Sequence, residues 1–254
     1  MDHIAVISDL HGNVPALEAV LDDIHARGIS RILCLGDLVG KGPNSDRTLD
    51  LARENCEKVI RGNWDDFLPK ESDQEVIRWH QQVLGKERLL YLESLPNVIE
   101  FYMSGRFIRL FHASPRSLYE RVQPWDEEEI KKSLFGPCVW ESTLDLPQIV
   151  GYGDIHQAYL DQVEGGRMLF NTGSVGNPLD LPQASYVILH GEEDRRTDGL
   201  FGMEFVRIPY DIEQAVQQAV DSGMPQLEDY AAELRTAVYR GLRNGQVTKR
   251  GKSK

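Results

Sequence analysis

The sequence predicts an α/β fold in which parallel strands alternate with helices. Short apolar runs rich in β-branched residues, at 4–7, 31–35 and 58–60, have the pattern of buried strands. Two amphipathic segments separate these runs, so strand and helix alternate over about the first 60 residues. This order favours parallel neighbours joined by right-handed crossovers. In such sheets ligands bind beyond the carboxyl ends of the strands.

The helices and later strands follow from caps, turns and apolar periodicity. The first helix is expected over 14–27, because Pro15 suits a first turn and Gly28 suits the residue after the end. A second helix is expected over 45–54. The remaining elements, in order, are helices at 73–84 and 87–95, a hairpin of 98–103 and 106–111, a helix within 124–135, a strand at 148–151, a hairpin of 158–163 and 167–170, strands at 185–189 and 201–208, and helices at 211–220 and 226–242.

Composition describes an ordinary globular protein. Of 254 residues, 41% are hydrophobic and 27% charged, and the net charge of −12 argues against a general nucleic-acid binder. No apolar run is long enough to span a membrane, and we expect no signal peptide. The cysteines, Cys34, Cys56 and Cys138, have no metal-type spacing, so we expect a reducing cytoplasm. We expect one domain over 1–244 and a basic, disordered tail over 245–254.

Side chains of metal-ligand type follow five predicted strands. One such pair is weak evidence, because a single histidine at a strand end is usually structural. Carboxylates, imidazoles and an amide in one ordered set suit a pair of divalent ions, and Asp37 has two oxygens with which to bridge them. Two such ions can polarise a phosphoryl group and convert a shared water to hydroxide. The residues are Asp9, His11, Asp37, Asn63, His112, Asp154 and His156.

These motifs resemble those of the calcineurin-like metallophosphoesterases. The likeness is greatest to their compact archaeal and bacterial phosphodiesterase branch, which is related to diadenosine tetraphosphatase-type phosphatases. The family pattern is Asp-x-His, Gly-Asp, Gly-Asn-His-Asp/Glu, a lone His and Gly-His-x-His. The similar region runs from Asp9 to 185–187 and extends to 210–211. The resemblance implies a four-layer α-β-β-α sandwich, in which helices flank two mixed sheets.

The resemblance also implies roles for the motif residues. The expected cofactors are two divalent ions, with Mn²⁺ favoured and Mg²⁺, Fe²⁺ or Zn²⁺ as alternatives. Asp37, Asn63 and His112 are the residues expected to act in catalysis. By resemblance, one ion has the ligands Asp9, His11, Asp37 and His156, and the other has Asp37, Asn63, His112 and Asp154.

Two residues depart from the family pattern. Asp154 stands where the family has His, and we expect it to be a ligand that favours harder ions. The alternative is that the second site binds its ion weakly. Trp64 stands where the family has a His thought to help protonate the leaving oxygen, and an indole has no proton to give near neutral pH. Its ring either stacks on a nucleobase or packs beside the loop.

Further side chains are candidates for substrate contact. Arg61 and Lys41 flank the motifs and are suited to phosphate oxygens, with ordinary surface charge as the alternative. The Gly-Ser-Val-Gly loop at 173–176 either aims N–H groups at an anion or forms a tight turn under the site, and we favour the turn.

The expected function is hydrolysis of phosphodiester or phosphoanhydride bonds by a metal-activated hydroxide. Alternatives within the enzyme class are a phosphomonoesterase, including a protein phosphatase, and a dinucleoside polyphosphate hydrolase. The alternative outside it is a non-catalytic regulator that binds metal or nucleotide on the same scaffold. The expected partner is a small phosphoester or nucleotide, without general nucleic-acid or membrane binding. The oligomeric state stays open.

Overall fold

The computed structural model describes residues 1–140 and 145–243. Within these ranges the structure has ten strands and eight helices, and strand and helix alternate over the first 60 residues as the sequence predicts. The strands are β1 (Asp2–Ile7), β2 (Arg31–Cys34), β3 (Lys58–Val59), β4 (Val98–Met103), β5 (Arg106–Phe111), β6 (Ile149–Tyr152), β7 (Ala158–Val163), β8 (Arg167–Thr172), β9 (Ala184–Gly191) and β10 (Gly202–Ile208). The helices are α1 (Val14–Ala26), α2 (Ser45–Asn55), α3 (Asn63–Phe67), α4 (Glu75–Ser94), α5 (Glu128–Ser133), α6 (Ile212–Ser222), α7 (Leu227–Thr236) and α8 (Arg240–Arg243).

The strands form two mixed five-stranded sheets. The first has the order β10-β9-β1-β2-β3, with β1, β2 and β3 parallel and β9 and β10 antiparallel to their neighbours. The second has the order β4-β5-β6-β8-β7, with β5, β6 and β8 parallel and antiparallel strands at both edges. Each sheet therefore contributes parallel strands whose carboxyl ends can present polar loops.

The side chains of β1 alternate between two apolar cores. Ile4 and Val6 pack between the sheets with residues of the second sheet such as Phe170. Ala5 and Ile7 face the other side, where they pack with the apolar faces of α1, α2 and α4. On the outer side of the second sheet, residues of β5, β6 and β8 pack with the segment that follows α5. Layers of helix, sheet, sheet and helix result, which confirms the predicted four-layer sandwich.

Most predicted elements are present, and the largest differences lie in helices. The pair of helices expected before residue 96 forms as α4, in which Gly85 has a φ of 68° and divides two helical segments. The single helix expected over 226–242 is wrong. α7 ends at Thr236 and α8 begins at Arg240, with Ala237 between them at a φ of 51°.

A buried carboxylate accounts for this break. Glu233 accepts hydrogen bonds from the backbone N–H of Arg240 (2.9 Å) and from its guanidinium, so the chain folds back on α7. This charged contact overrides the apolar periodicity from which a continuous helix was predicted. The predicted tail at 245–254 lies outside the described residues. Among the described helices, none combines the length and apolar character needed to cross a membrane.

Candidate active site

Sharp turns follow the strands that end at the site. Residues at these turns have left-handed backbone conformations, with φ between 46° and 61°. Non-glycine residues adopt this conformation at a cost of roughly 1–3 kcal/mol each, and such strain clusters at functional sites. The turns place polar side chains from both sheets at one point. The residues concerned are Asp9, His11, Asp37, Asp154 and His156.

Backbone hydrogen bonds between loops fix the first of these turns. Asp9 N–H donates to the carbonyl of Gly36 at 2.9 Å. The N–H groups of Val175 and Gly176 donate to the carbonyls of Ser8 (3.0 Å) and Asp9 (2.9 Å). The loop at 173–176 therefore uses these donors to support the site, as the tight-turn interpretation predicted.

Four of the predicted ligands converge in one buried group. One ligand atom from each lies within 4.8 Å of the others. His156 Nε2 is 3.1 Å from Asp9 Oδ1 and 3.1 Å from His11 Nε2, and His11 Nε2 is 3.4 Å from Asp37 Oδ2. This first group, Asp9, His11, Asp37 and His156, is the set expected for one metal ion.

A second group extends from the other oxygen of Asp37. His112 Nε2 lies 3.5 Å from Asp37 Oδ1 and 3.9 Å from Asp154 Oδ1. The amide of Asn63 donates to Asp154 Oδ1 at 2.8 Å. Asp37 thus lies between the two groups, with one oxygen toward each.

The three histidines of both groups share one orientation. In each, Nδ1 contacts a backbone carbonyl, which can only accept, so Nδ1 carries the proton. This orientation turns Nε2 of each ring toward the carboxylates, as in metal-ligating histidines, which bind the ion in the neutral form. The contacts are His11 to Val39 O (3.0 Å), His112 to Leu35 O (2.8 Å) and His156 to Asn177 O (2.5 Å).

The charges of the site indicate that a cation belongs there. Burial raises the pKa of Asp37 well above its usual value, although His112 opposes the shift. Burial disfavours the charged form of His112, yet Asp37, Asp9 and Asp154 raise its pKa to about 9. Within the described residues, the buried Asp9 Oδ1 and His112 Nε2 atoms have no hydrogen-bond partner. Buried ligand atoms without partners, beside the carboxylates of Asp9, Asp37 and Asp154, fit divalent metal ions.

A pocket of about 160 Å³ opens onto the second group. Of the predicted substrate-binding residues, it contains Lys41 and Trp64, whereas Arg61 donates to the carbonyls of Glu93 (2.6 Å) and Leu95 (2.9 Å). The structure therefore does not bring Arg61 to the pocket. The lining residues are Asp37, Lys41, Asn63, Trp64, Arg121, Asp154, His156, Tyr239 and Arg240.

The sequence of the first 194 residues decides the family. A family model described as the calcineurin-like phosphoesterase superfamily domain matches residues 2–194. The chain belongs to this superfamily. Its metal dependence agrees with the converging Asp and His ligands.

Relatives of this chain occur in archaea and bacteria. The uncharacterized protein MJ0912 of Methanocaldococcus jannaschii is 36% identical over 238 residues, which cover 88% of this chain and 94% of that protein. Phosphodiesterase YfcE of Escherichia coli is 27% identical over 201 residues, 73% of this chain and 85% of that one. A solved metallophosphoesterase from Sphaerobacter thermophilus has a TM-score of 0.71 at 26% identity and covers 93% of this chain and 99% of its own.

Trp64, one of the two residues that depart from the calcineurin-like pattern, both packs and lines the pocket. A Cβ atom added to Gly40 would lie 2.0 Å from the indole, so the ring rests directly on that glycine. Its ring centroid is 4.7 Å from that of Phe67 and 6.0 Å from that of His11. The predicted packing contact is therefore present, and part of the ring still faces the pocket.

Asp65 has a structural role in the site that sequence reasoning missed. Its buried carboxylate accepts hydrogen bonds from the N–H groups of Asp37 (2.7 Å), Leu38 (3.0 Å) and Gly62 (2.9 Å). Burial raises the pKa of Asp65 to about 6, although these hydrogen bonds favour the ionised form and oppose the shift. It thereby joins the loops that follow β2 and β3. The signal was its position as the acidic residue of the Gly-Asn-His-Asp/Glu pattern.

Arg121 is the other important residue that was missed. Its guanidinium donates to both oxygens of Asp154, from Nε to Oδ2 at 2.9 Å and from Nη2 to Oδ1 at 3.1 Å. It lies between β5 and α5 without a motif around it, so nothing in the sequence marked it. Tyr239 and Arg240 reach the pocket from beyond the matched residues 2–194.

Proposed function

We propose that the chain is a metal-dependent phosphohydrolase that cleaves phosphodiester or phosphoanhydride bonds at a two-metal centre. The observation that carries this proposal is the position of Asp37 between two groups of ligand-type side chains. The phosphodiesterase relative from Escherichia coli supports the choice of reaction. The basic residues in the wall of the pocket of about 160 Å³ support a small phosphoester or nucleotide as the substrate, with its phosphate in the pocket.

The residues of the two groups divide the work of such a site. When bound, divalent ions polarise a phosphoryl group and lower the pKa of the attacking water. Asp9, His11, Asp37 and His156 would hold one ion, and Asp37, Asn63, His112 and Asp154 would hold the other. The carboxylates favour Mn²⁺, with Mg²⁺, Fe²⁺ and Zn²⁺ as alternatives.

The basic residues of the pocket serve the anionic substrate. Lys41 donates to Asn177 Oδ1 at 2.8 Å, and this hydrogen bond fixes its ammonium in the pocket wall. Burial lowers the pKa of Lys41, although Glu233 opposes the shift. Arg121 and Arg240 also line the pocket, so phosphate oxygens that enter it meet positive charge, which offsets the carboxylates beneath.

Hydrolysis of bis-(p-nitrophenyl) phosphate tests the proposed function. Protein freed of metal by a chelator should be inactive, and Mn²⁺ should restore release of nitrophenol. Calorimetry in the same buffer checks that Mn²⁺ binds. If Mn²⁺ binds and a panel of phosphate mono-, di- and polyphosphate esters shows no turnover, the chain is a non-catalytic metal-binding protein instead.

Substitution of Trp64 should change the dependence of rate on the leaving group. Trp64→His restores an acid that can protonate a leaving oxygen, a contribution worth about 10²–10⁴ in rate. We expect the gain for alkyl esters, whose leaving oxygens are strongly basic, and little gain for p-nitrophenyl esters. The measurement is kcat/KM across a series of phosphodiesters with leaving groups of graded basicity.

Trp64→Ala is the matched comparison. If the ring stacks on a base, this variant should raise KM for nucleotide substrates and leave KM for p-nitrophenyl esters nearly unchanged. If Trp64→His raises kcat/KM equally for good and poor leaving groups, the introduced side chain does not act by protonating the leaving oxygen. An unchanged nucleotide KM in Trp64→Ala would contradict the stacking role.

A further inference from the structure

We propose that Arg121 exchanges partners: it pairs with Asp154 in the free protein and with a phosphate oxygen of the substrate in the complex. The exchange makes Arg121 a competitor of the second metal ion for Asp154. It also makes metal and phosphate binding mutually supportive. The inference rests on the proposed two-metal function and concerns the same pocket.

The contact geometry shows why Arg121 and a metal ion compete. Both oxygens of Asp154 accept hydrogen bonds from the guanidinium, at 2.9 and 3.1 Å, and Oδ1 also accepts from Asn63. An ion bound by Asp154 needs one of these oxygens. It would also place two positive charges a few ångströms from the guanidinium, which is unfavourable in a partly buried site.

The first group presents no such competitor. Asp9 Oδ1 lies 3.1 Å from His156 Nε2 and, among the described residues, has no hydrogen-bond partner. Among the described residues, Asp9 and Asp37 pair with histidines and with no Arg or Lys, so they can receive an ion without first losing a guanidinium or ammonium partner. At Asp154 the ion meets the guanidinium of Arg121, which already binds both oxygens. The two metal positions should accordingly differ in affinity, with the second weaker.

Burial shows which partner of the ion pair can move. The side chain of Arg121 is 50% exposed, whereas that of Asp154 is 2% exposed. The Asp154 backbone is fixed as well, since its N–H donates to Asp9 Oδ2 at 3.2 Å. Arg121 can therefore leave toward the pocket opening while Asp154 stays at the site.

Charge in the pocket indicates where Arg121 goes. Arg240 is 19% exposed and bound to the buried Glu233 by two hydrogen bonds of 2.9 Å. Lys41 is fixed by Asn177. Arg121 is more exposed than Arg240, and a planar guanidinium matches phosphate oxygens in pairs. A phosphate that enters the pocket therefore offers Arg121 a second bidentate anion, and Asp154 becomes free for the metal.

Mn²⁺ titration of metal-free protein by calorimetry tests the competition without any measurement of turnover. Wild type should bind one Mn²⁺ tightly and a second at least about tenfold more weakly. Arg121→Gln removes the competing charge, so the second Mn²⁺ should bind about tenfold more tightly. The matched control is Arg116→Gln, because Arg116 lies in the same segment and bonds Glu120 and Ser133. Its metal affinities should equal those of wild type.

Inorganic phosphate is the probe for the other half of the exchange. In wild type, phosphate should tighten the second Mn²⁺, and Mn²⁺ should tighten phosphate by the same factor. In Arg121→Gln loaded with Mn²⁺, phosphate should bind at least about tenfold more weakly than in wild type. Equal phosphate affinity in the two proteins would overturn the exchange.

The metal titration alone can also overturn the inference. A second Mn²⁺ that binds no more tightly to Arg121→Gln than to wild type, with far-ultraviolet circular dichroism unchanged, excludes the competition. These readouts are independent of hydrolysis. If the phosphodiesterase assay shows no hydrolysis but the titrations give the predicted affinities, the proposed function is rejected and the role of Arg121 stands.

Discussion

Asp37→Asn is expected to abolish metal-dependent hydrolysis, a loss of at least about 10³-fold in kcat. The two oxygens of Asp37 face different groups, Oδ2 toward His11 at 3.4 Å and Oδ1 toward His112 at 3.5 Å. An amide keeps one oxygen and replaces the other by an N–H₂ group, which cannot ligate a metal. The variant also removes one negative charge between the proposed ions. Steady-state kinetics at saturating Mn²⁺ measure the loss.

The fold should tolerate this change, which separates catalysis from stability. Burial raises the pKa of Asp37, so its ionised form is unfavourable in the metal-free protein. An asparagine oxygen can still accept the hydrogen bond from Trp64 N–H, which is 2.8 Å long. Metal-free Asp37→Asn should therefore unfold at a temperature no lower than wild type.

A surface aspartate provides the control for this comparison. Asp22→Asn alters an exposed residue of α1 and should leave both kcat and the unfolding temperature unchanged. Activity near that of wild type in Asp37→Asn at saturating Mn²⁺ would refute the bridging position assigned to Asp37.

The part of the site that sequence predicted depends on strand ends. Asp9 and Asp37 directly follow short apolar runs, and parallel pairing of β1 with β2 brings these positions together. The carboxyl ends of neighbouring parallel strands lie at the same edge of the sheet, so residues that follow them lie close together. His112 and Asp154 follow β5 and β6 of the second sheet, whose placement opposite the first was implied by the family resemblance rather than by periodicity.

The part that was missed depends on tertiary contacts between irregular segments. Arg121 is positioned by Asp154, which is 33 residues away in the chain. Arg240 is positioned by Glu233 through a helix break at Ala237 that apolar periodicity did not predict. An isolated arginine in a polar segment has the same local pattern whether it faces solvent or an active site, so sequence periodicity carries no signal for either residue.

Asp65→Asn is expected to destabilise the fold by about 3 kcal/mol. The carboxylate accepts hydrogen bonds from the buried N–H groups of Asp37, Leu38 and Gly62 at 2.7 to 3.0 Å. Its Oδ2 serves Asp37 and Gly62, and its Oδ1 serves Leu38. An asparagine has one acceptor oxygen, and its N–H₂ group would face at least one donor. A buried donor left unpaired costs about 1–3 kcal/mol, to which the loss of charge-assisted bonds adds. Urea unfolding of the metal-free protein measures the difference.

The neighbouring Asp66 separates this role from a general effect of lost charge. Asp66 is partly exposed and interacts with side chains at the surface, Lys70 (2.6 Å), Tyr119 (2.5 Å) and Arg61 (3.4 Å), so Asp66→Asn should cost clearly less than Asp65→Asn. Because Asp65 holds the backbone on both sides of Asp37, Asp65→Asn should also weaken Mn²⁺ binding, whereas Asp66→Asn should not. If both variants unfold at the same urea concentration, Asp65 does not join the two loops energetically, and the ligand geometry at Asp37 depends on the β1 and β2 backbone alone.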